Sequence, residues 1–249
     1  LILCSLDFES TGLDTAKDDV IEFGAVLWST TQKKCLDNQG MLVRTDKVIT
    51  PKITKITGIT QAALTRFGYE PGDVLSIILG MMSSADAIIG YNVRRFDKPL
   101  LYSWAERINK TLSREEQLVT PPDKVWIDLF LDLPWDVLTG KLSHTAADHG
   151  ILNLFPHSAL ADCQTVLAIA SKYDADLLLK RAQSPVVILR SLEERSNNDA
   201  VKAAKFRWSP APNKFWWKAA KQADADEVIA NCGIRCEIDK EHTQEELDI

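Results

Sequence analysis

Leu1-Ile-Leu-Cys-Ser-Leu-Asp7-Phe-Glu9-Ser-Thr11-Gly-Leu13 decides how the chain reads. Its first six residues suit a buried strand, and Thr11-Gly12 breaks the pattern. Side chains two apart on a strand share a face, so Asp7 and Glu9 stand together at its C-terminal end. Two carboxylates held that way repel each other, and a hard divalent cation such as Mg²⁺ relieves the repulsion. On spacing alone, a solvated strand end explains the pair equally well. The apolar start lacks the length and basic flank of a signal peptide.

Working outward, residues 20–28 read as a second strand and residues 41–44 as a third, with turn chemistry at Asp37-Asn-Gln-Gly40 between them. A helix is expected over 71–83, with Pro71 in its first turn. Residues 87–91 form a short buried strand, 95–107 a helix and 125–129 a last strand, and helices over 142–149 and 157–180 close the unit. Strands first, then strands alternating with helices, predict an α/β domain with a mixed sheet over residues 1–182.

The 249 residues are 45% hydrophobic and 26% charged, which excludes a disordered or fibrous chain. No apolar run approaches the ~20 residues that span a bilayer, so no membrane partner is expected. The five cysteines are scattered, and Cys232 and Cys236 lack a second ligand pair at zinc-finger spacing. They read as reduced thiols of a cytoplasmic protein, with Cys4 and Cys163 buried. A net charge of -6 argues against nucleic acid on average. Locally the balance reverses, because residues 200–221 carry six Lys or Arg and no acid, interleaved with Phe206, Trp208, Phe215, Trp216 and Trp217. Residues 186–236 are therefore expected to form a small basic, aromatic α+β module, some of whose rings stack on bases and some of which fill its core. The acids from Glu237 onward predict a disordered tail over 237–249.

Three further residues extend the carboxylate pattern. Asn92 follows a buried strand and Asp97 opens a helix, where an acid has an ordinary capping use. His157 and Asp162 are five apart, which no helical face accommodates unless His157 lies before the helix. Each feature alone is modest.

Together they resemble the DEDDh (DnaQ-like) 3'–5' exonucleases of the ribonuclease H-like superfamily. The first family motif stands as Asp7-Phe-Glu-Ser-Thr-Gly-Leu13, the second as Asn92-Val-Arg-Arg-Phe-Asp97, and the third as His157 to Asp162. A secondary marker, Ile56-Thr-Gly-Ile-Thr60, lies between the first two. Tyr91 stands where His is frequent, and the gap from Asn92 to Asp97 is one residue longer than in many members. Ser158 occupies the position of the tyrosine in the other branch, which indicates the histidine branch.

The resemblance implies a ribonuclease H-like fold and two divalent cations, Mg²⁺ or Mn²⁺, held by Asp7, Glu9, Asp97 and Asp162. It makes His157 the general base, since an imidazole exchanges protons near neutral pH. The implied reaction removes 5'-nucleoside monophosphates from 3' ends of DNA, single-stranded DNA first. It places Thr11 and the backbone around Phe8 and Glu9 near the terminal 3'-OH and sugar, Leu13 and Ile56 or Ile59 against the terminal bases, and Asn92 where it orients the strand or Asp97. Short RNA is the rival substrate, and a catalytically silent binding module the rival role.

Overall fold

The computed structural model describes residues 1–113, 120–134, 141–210 and 213–243. The chain divides into two compact units, Leu1–Ala182 and Gln183–Ile249. Among the described residues, no helix is long and apolar enough to cross a membrane.

The first unit begins with β1 (Ile2–Ser10), β2 (Val20–Ser29) and β3 (Lys34–Leu42). These pair as an antiparallel meander. The short helices α1 (Pro51–Thr57) and α2 (Gln61–Phe67) follow, then α3 (Pro71–Ser83) and β4 (Ala87–Gly90). Next come α4 (Asp97–Thr111), β5 (Val125–Asp128), α5 (Leu129–Asp132), α6 (Leu142–Asp148), α7 (Ala159–Ala170) and α8 (Ala175–Gln183). The sheet order is β3-β2-β1-β4-β5, with β4 parallel to both β1 and β5. This is the mixed sheet flanked by helices expected of a ribonuclease H-like fold.

The alternation of β1 assigns its side chains to two layers. Cys4, Leu6 and Phe8 join Val74, Ile78, Leu100 and Trp104 in the core beneath α3 and α4. Leu3 packs on the opposite face with Cys163 and Val166 of α7, and Ser5 Oγ donates to Cys163 O at 3.2 Å. Asp7 and Glu9 continue that second face beyond the apolar stretch, which puts both acids on the α7 side.

Gly24 of β2 sits opposite Asp7 and lets α7 come this close. A Cβ there would lie 2.3 Å from the carbonyl carbon of Ala159 and 2.4 Å from the amide of Leu160. Both are backbone atoms, so no rotamer change relieves the clash. Gly24→Ala is expected to cost about 1–3 kcal/mol of stability by overpacking, and to lift the start of α7 off the sheet. Urea denaturation alongside a nuclease assay checks this, and an unchanged midpoint would refute it.

Several local expectations need correction. Residues 37–40 lie inside β3, not in a turn. The reversal occurs earlier, with Lys33 at φ 49°. The exposed side chains of this edge strand hide its backbone pairing with β2. The marker at Ile56–Thr60 spans the short connection between α1 and α2: Gly58 closes α1 at φ 75°, and the Thr60 side chain accepts from the Ala63 amide. The long helix expected over 157–180 is two helices, and the Leu177 amide donates to Asp174 Oδ1 at the start of the second.

The second unit is a sheet of order β7-β8-β6-β9, built from β6 (Val186–Ser191), β7 (Arg207–Ser209), β8 (Phe215–Lys221) and β9 (Cys236–Asp239). Helices α9 (Asn198–Ala203) and α10 (Ala225–Asn231) contribute Val201 and Ala225 to a cluster with Leu189 and Phe206. The other face carries Ile188, Phe215 and Trp217. Arg190 and Arg207 lie over the rings of Phe215 and Trp217. Phe206, Phe215 and Trp217 are thus core residues, whereas Trp208 is 47% exposed and meets Trp216 edge-on.

Strand β9 corrects the expectation of a tail starting at Glu237. Cys236 and Ile238 pack inward while Glu237 points out, and the strand pairs with β6 over four residues. The acidic composition conceals this period-two pattern. The rest of the tail from 244 onward, and the middle of the Pro210–Asn213 turn, lie outside the described residues.

Candidate active site

Four elements meet at the C-terminal end of β1. The strand supplies Asp7 and Glu9, α4 supplies Asp97, the turn before α7 supplies His157, and α7 itself supplies Asp162. Ligand atoms of Glu9, His157 and Asp162 all lie within 4.8 Å of one another. Asp97 is buried beside Asp7, its Oδ1 accepting the Phe8 amide at 3.0 Å. The five residues singled out by the sequence therefore converge.

His157 resolves its five-residue spacing from Asp162 by conformation. It stands in the left-handed region at φ 64°, two residues before α7 begins. Its amide donates to Asp162 Oδ2 at 3.1 Å, while its ring stays exposed. Asn153 Nδ2 donates to the other oxygen of Asp162 at 2.5 Å. Asp162 thus holds the loop that carries His157.

The electrostatics are those of crowded, poorly solvated acids. Burial raises the carboxyl of Asp7 well above the usual range, and Asp162 and Glu22 push it further. Glu9 is pushed up to about 9 by burial, then by Asp7, Glu22 and Asp162. Asp97 is raised by burial and by Asp7, and Asp162 by burial, against the pull of its hydrogen bonds to Asn153 and His157. An all-oxygen donor set that repels itself fits hard divalent cations.

The sequence pattern does not single out Glu22, which sits directly across from Glu9 on β2. It accepts the Ala159 amide at 3.3 Å and a hydrogen bond from Ser158, so it anchors the entry to α7 while adding negative charge. The available signal is one acid in the otherwise apolar run Val20-Ile-Glu-Phe. Asp128 is equally silent in the sequence. Fully buried, it accepts the amides of Asn92 at 2.7 Å, Arg94 at 3.1 Å and Phe130 at 3.1 Å, and so builds the turn leading to Asp97.

The residues expected to touch substrate are distributed differently. Leu13 is 85% exposed and Ile56 47% exposed. The Phe8 ring is buried in the core and its amide is taken by Asp97. Thr11 Oγ1 donates to Asp18 Oδ1 and accepts the Asp19 amide, so its hydroxyl is engaged within its own loop. Asn92 adopts φ 60°, with its amide on Asp128. Leu152, Leu154 and Phe155, exposed in the loop before His157, are apolar neighbours that the motifs do not mark.

A family model described as Exonuclease (RNase T) matches residues 4–170, which include all five converging residues. The chain belongs to this exonuclease family. It is 36% identical over 104 residues to the PolC-type DNA polymerase III of Thermotoga maritima, a match covering 41% of this chain and 7% of that polymerase. The chain thus matches only a small part of that relative's length. Among solved structures, E. coli Exonuclease I in complex with a dT13 oligonucleotide superposes with a TM-score of 0.61 at 15% identity, covering 99% of this chain and 70% of that one. The nuclease domain of 3'hExo, a DEDDh family member bound to rAMP, gives a TM-score of 0.56 at 21% identity, covering 69% and 90%. At these identities the likeness is one of fold.

Proposed function

We propose that this exonuclease removes nucleotides from the 3' end of DNA, preferring single strands, and releases 5'-nucleoside monophosphates. One observation carries the reading: donor atoms of Glu9, His157 and Asp162 lie within 4.8 Å of one another, with Asp7 and Asp97 adjoining. Asp7, Glu9, Asp97 and Asp162 would hold two divalent cations, Mg²⁺ or Mn²⁺. Bound there, such ions supply Lewis acidity at the scissile phosphate and offset its charge.

The chain's own groups do the remaining work. The exposed ring of His157 accepts the proton of the attacking water. Asp162, through the His157 amide, and Glu22, through the Ala159 amide, fix the loop that aims this ring. Leu13 and Ile56 offer apolar faces to terminal bases, a contact that tolerates any sequence. Asn92 borders the strand. The stacked Arg–aromatic face and exposed Trp208 of the second unit support a role in gripping single strands. E. coli Exonuclease I bound to dT13 supports DNA, and 3'hExo bound to rAMP keeps RNA as the second reading. The five free thiols support the cytoplasm as the compartment.

Oligonucleotides labelled at one end test the polarity. With Mg²⁺, a 3' label should appear at once as mononucleotide, while a 5' label should pass down a ladder. Single-stranded DNA should be degraded faster than matched duplex or RNA. Immediate release of the 5' label, or internal cuts, would overturn the direction, and faster loss of RNA would overturn the substrate.

A further inference from the structure

Cys232 caps the C-terminus of α10, and Cys236 opens β9. Gly233, at φ 73°, turns the chain back between them. Their sulfurs lie 3.4 Å apart in a thiol–thiol hydrogen bond. Cys232 Sγ also reaches the carbonyls of Ile229 at 3.4 Å and Ile234 at 3.2 Å. Both residues are partly open to solvent. A disulfide holds its sulfurs about 2.05 Å apart, so each need move by less than about 1 Å to bond.

The other three cysteines are placed differently. Cys4 and Cys163 are buried and directed at the carbonyls of Ser5 and Gly24, and Cys35 is exposed on an edge strand. Among the described residues, no His, Asp or Glu completes a metal-ligating group around Cys232 and Cys236.

We infer that Cys232 and Cys236 form a reversible disulfide modification site, written by low-molecular-weight disulfides of the glutathione class and erased by thiols. Cys232 gives up its proton and attacks one sulfur of oxidised glutathione. That S–S bond breaks, one glutathione leaves as its thiol, and a mixed disulfide remains. The Cys236 sulfur then attacks Cys232 Sγ, its proton goes to the departing sulfur, and the second glutathione leaves. Two S–H bonds become one S–S bond, and oxidised glutathione takes up the two electrons and two protons. Cys236 packs against the apolar cluster of Leu189 and Phe206 whereas Cys232 does not, and this placement assigns the first attack to Cys232; burial also pushes the Cys236 thiol up to about 12. Contact with the mixed disulfide then favours the second step. The product ties the end of α10 to the edge strand β9.

The full chain carrying Cys35→Ser is equilibrated with reduced and oxidised glutathione, alkylated under denaturing conditions and weighed. The expected product has lost two hydrogens and carries no glutathione. Trypsin, cutting after Arg235, should release two peptides joined through Cys232 and Cys236, and dithiothreitol should separate them. Adding Cys236→Ser should instead leave one glutathione on Cys232. Full alkylation of both thiols at every ratio, while Cys35 of the wild-type chain becomes glutathionylated, would overturn the inference. A stable glutathione adduct without the internal link would do the same. Neither readout depends on nuclease activity.

Discussion

Asp97→Asn is expected to lower turnover by on the order of 10²–10³-fold, and at the same time to raise the melting temperature of the metal-free protein. The amide side chain keeps an oxygen for the Phe8 amide, so the contact at 3.0 Å survives. What disappears, at alkaline pH where the buried acids ionise, is one negative charge from a group that Asp7 already repels. Losing it weakens cation binding and the electrostatic work done at the phosphate, yet relieves the unliganded fold. Activity and stability moving in opposite directions mark a site that stores strain for function. Single-turnover nucleotide release and thermal melts in chelator measure the two effects. Joint loss of activity and stability would instead assign Asp97 a purely structural role.

The second large effect concerns pH. In chelator, stability is expected to fall as pH rises from about 4.5 to about 9, the window set by Glu9. In that window the folded protein holds a proton that the unfolded chain has released, so unfolding sheds protons and alkaline conditions favour it. Asp7, Asp97 and Asp162 are shifted in the same direction. Asp14, Glu106, Glu193 and Asp239 are held low and act oppositely, but only as pH drops below their ordinary range. Mg²⁺ or Mn²⁺ at about 100 times its Kd should restore about 2.7 kcal/mol, and more at the alkaline end, where the ligands bind without first losing protons. Melting curves across pH, with and without metal, test this. A chelated protein whose stability rises through the window would contradict the crowding of acids.

The candidate constellation was legible through the family resemblance its parts make together, because each part alone has an ordinary structural use. Asp7 and Glu9 follow the two-residue period of a strand, and Asp97 stands where a helix begins. The fold class was legible from the order of strands and helices. Glu22 and Asp128 were hidden because each acts on the backbone amides of a segment distant in sequence. Strand β3 was obscured because an edge strand is stabilised through backbone pairing, whatever its exposed side chains are. Helices α1 and α2 are only seven residues each, too short for an apolar period to repeat. Their threonine caps at Thr50 and Thr60 are their clearest marks. In the second unit, alternation divided Phe215, Trp216 and Trp217 between two faces but left open which face would be covered.

The way α7 docks on the first strands also bears on biosynthesis. Ser5 and Cys163 are bonded although 158 residues of chain separate them, and Cys163 reaches Gly24 across 139. Closure over such distances comes late, after nearer contacts have formed. A nascent chain emerging from the ribosome therefore carries Asp7, Glu9 and Asp97 long before Asp162 joins them. The acid cluster of the candidate site is therefore completed only once its last helices have been translated.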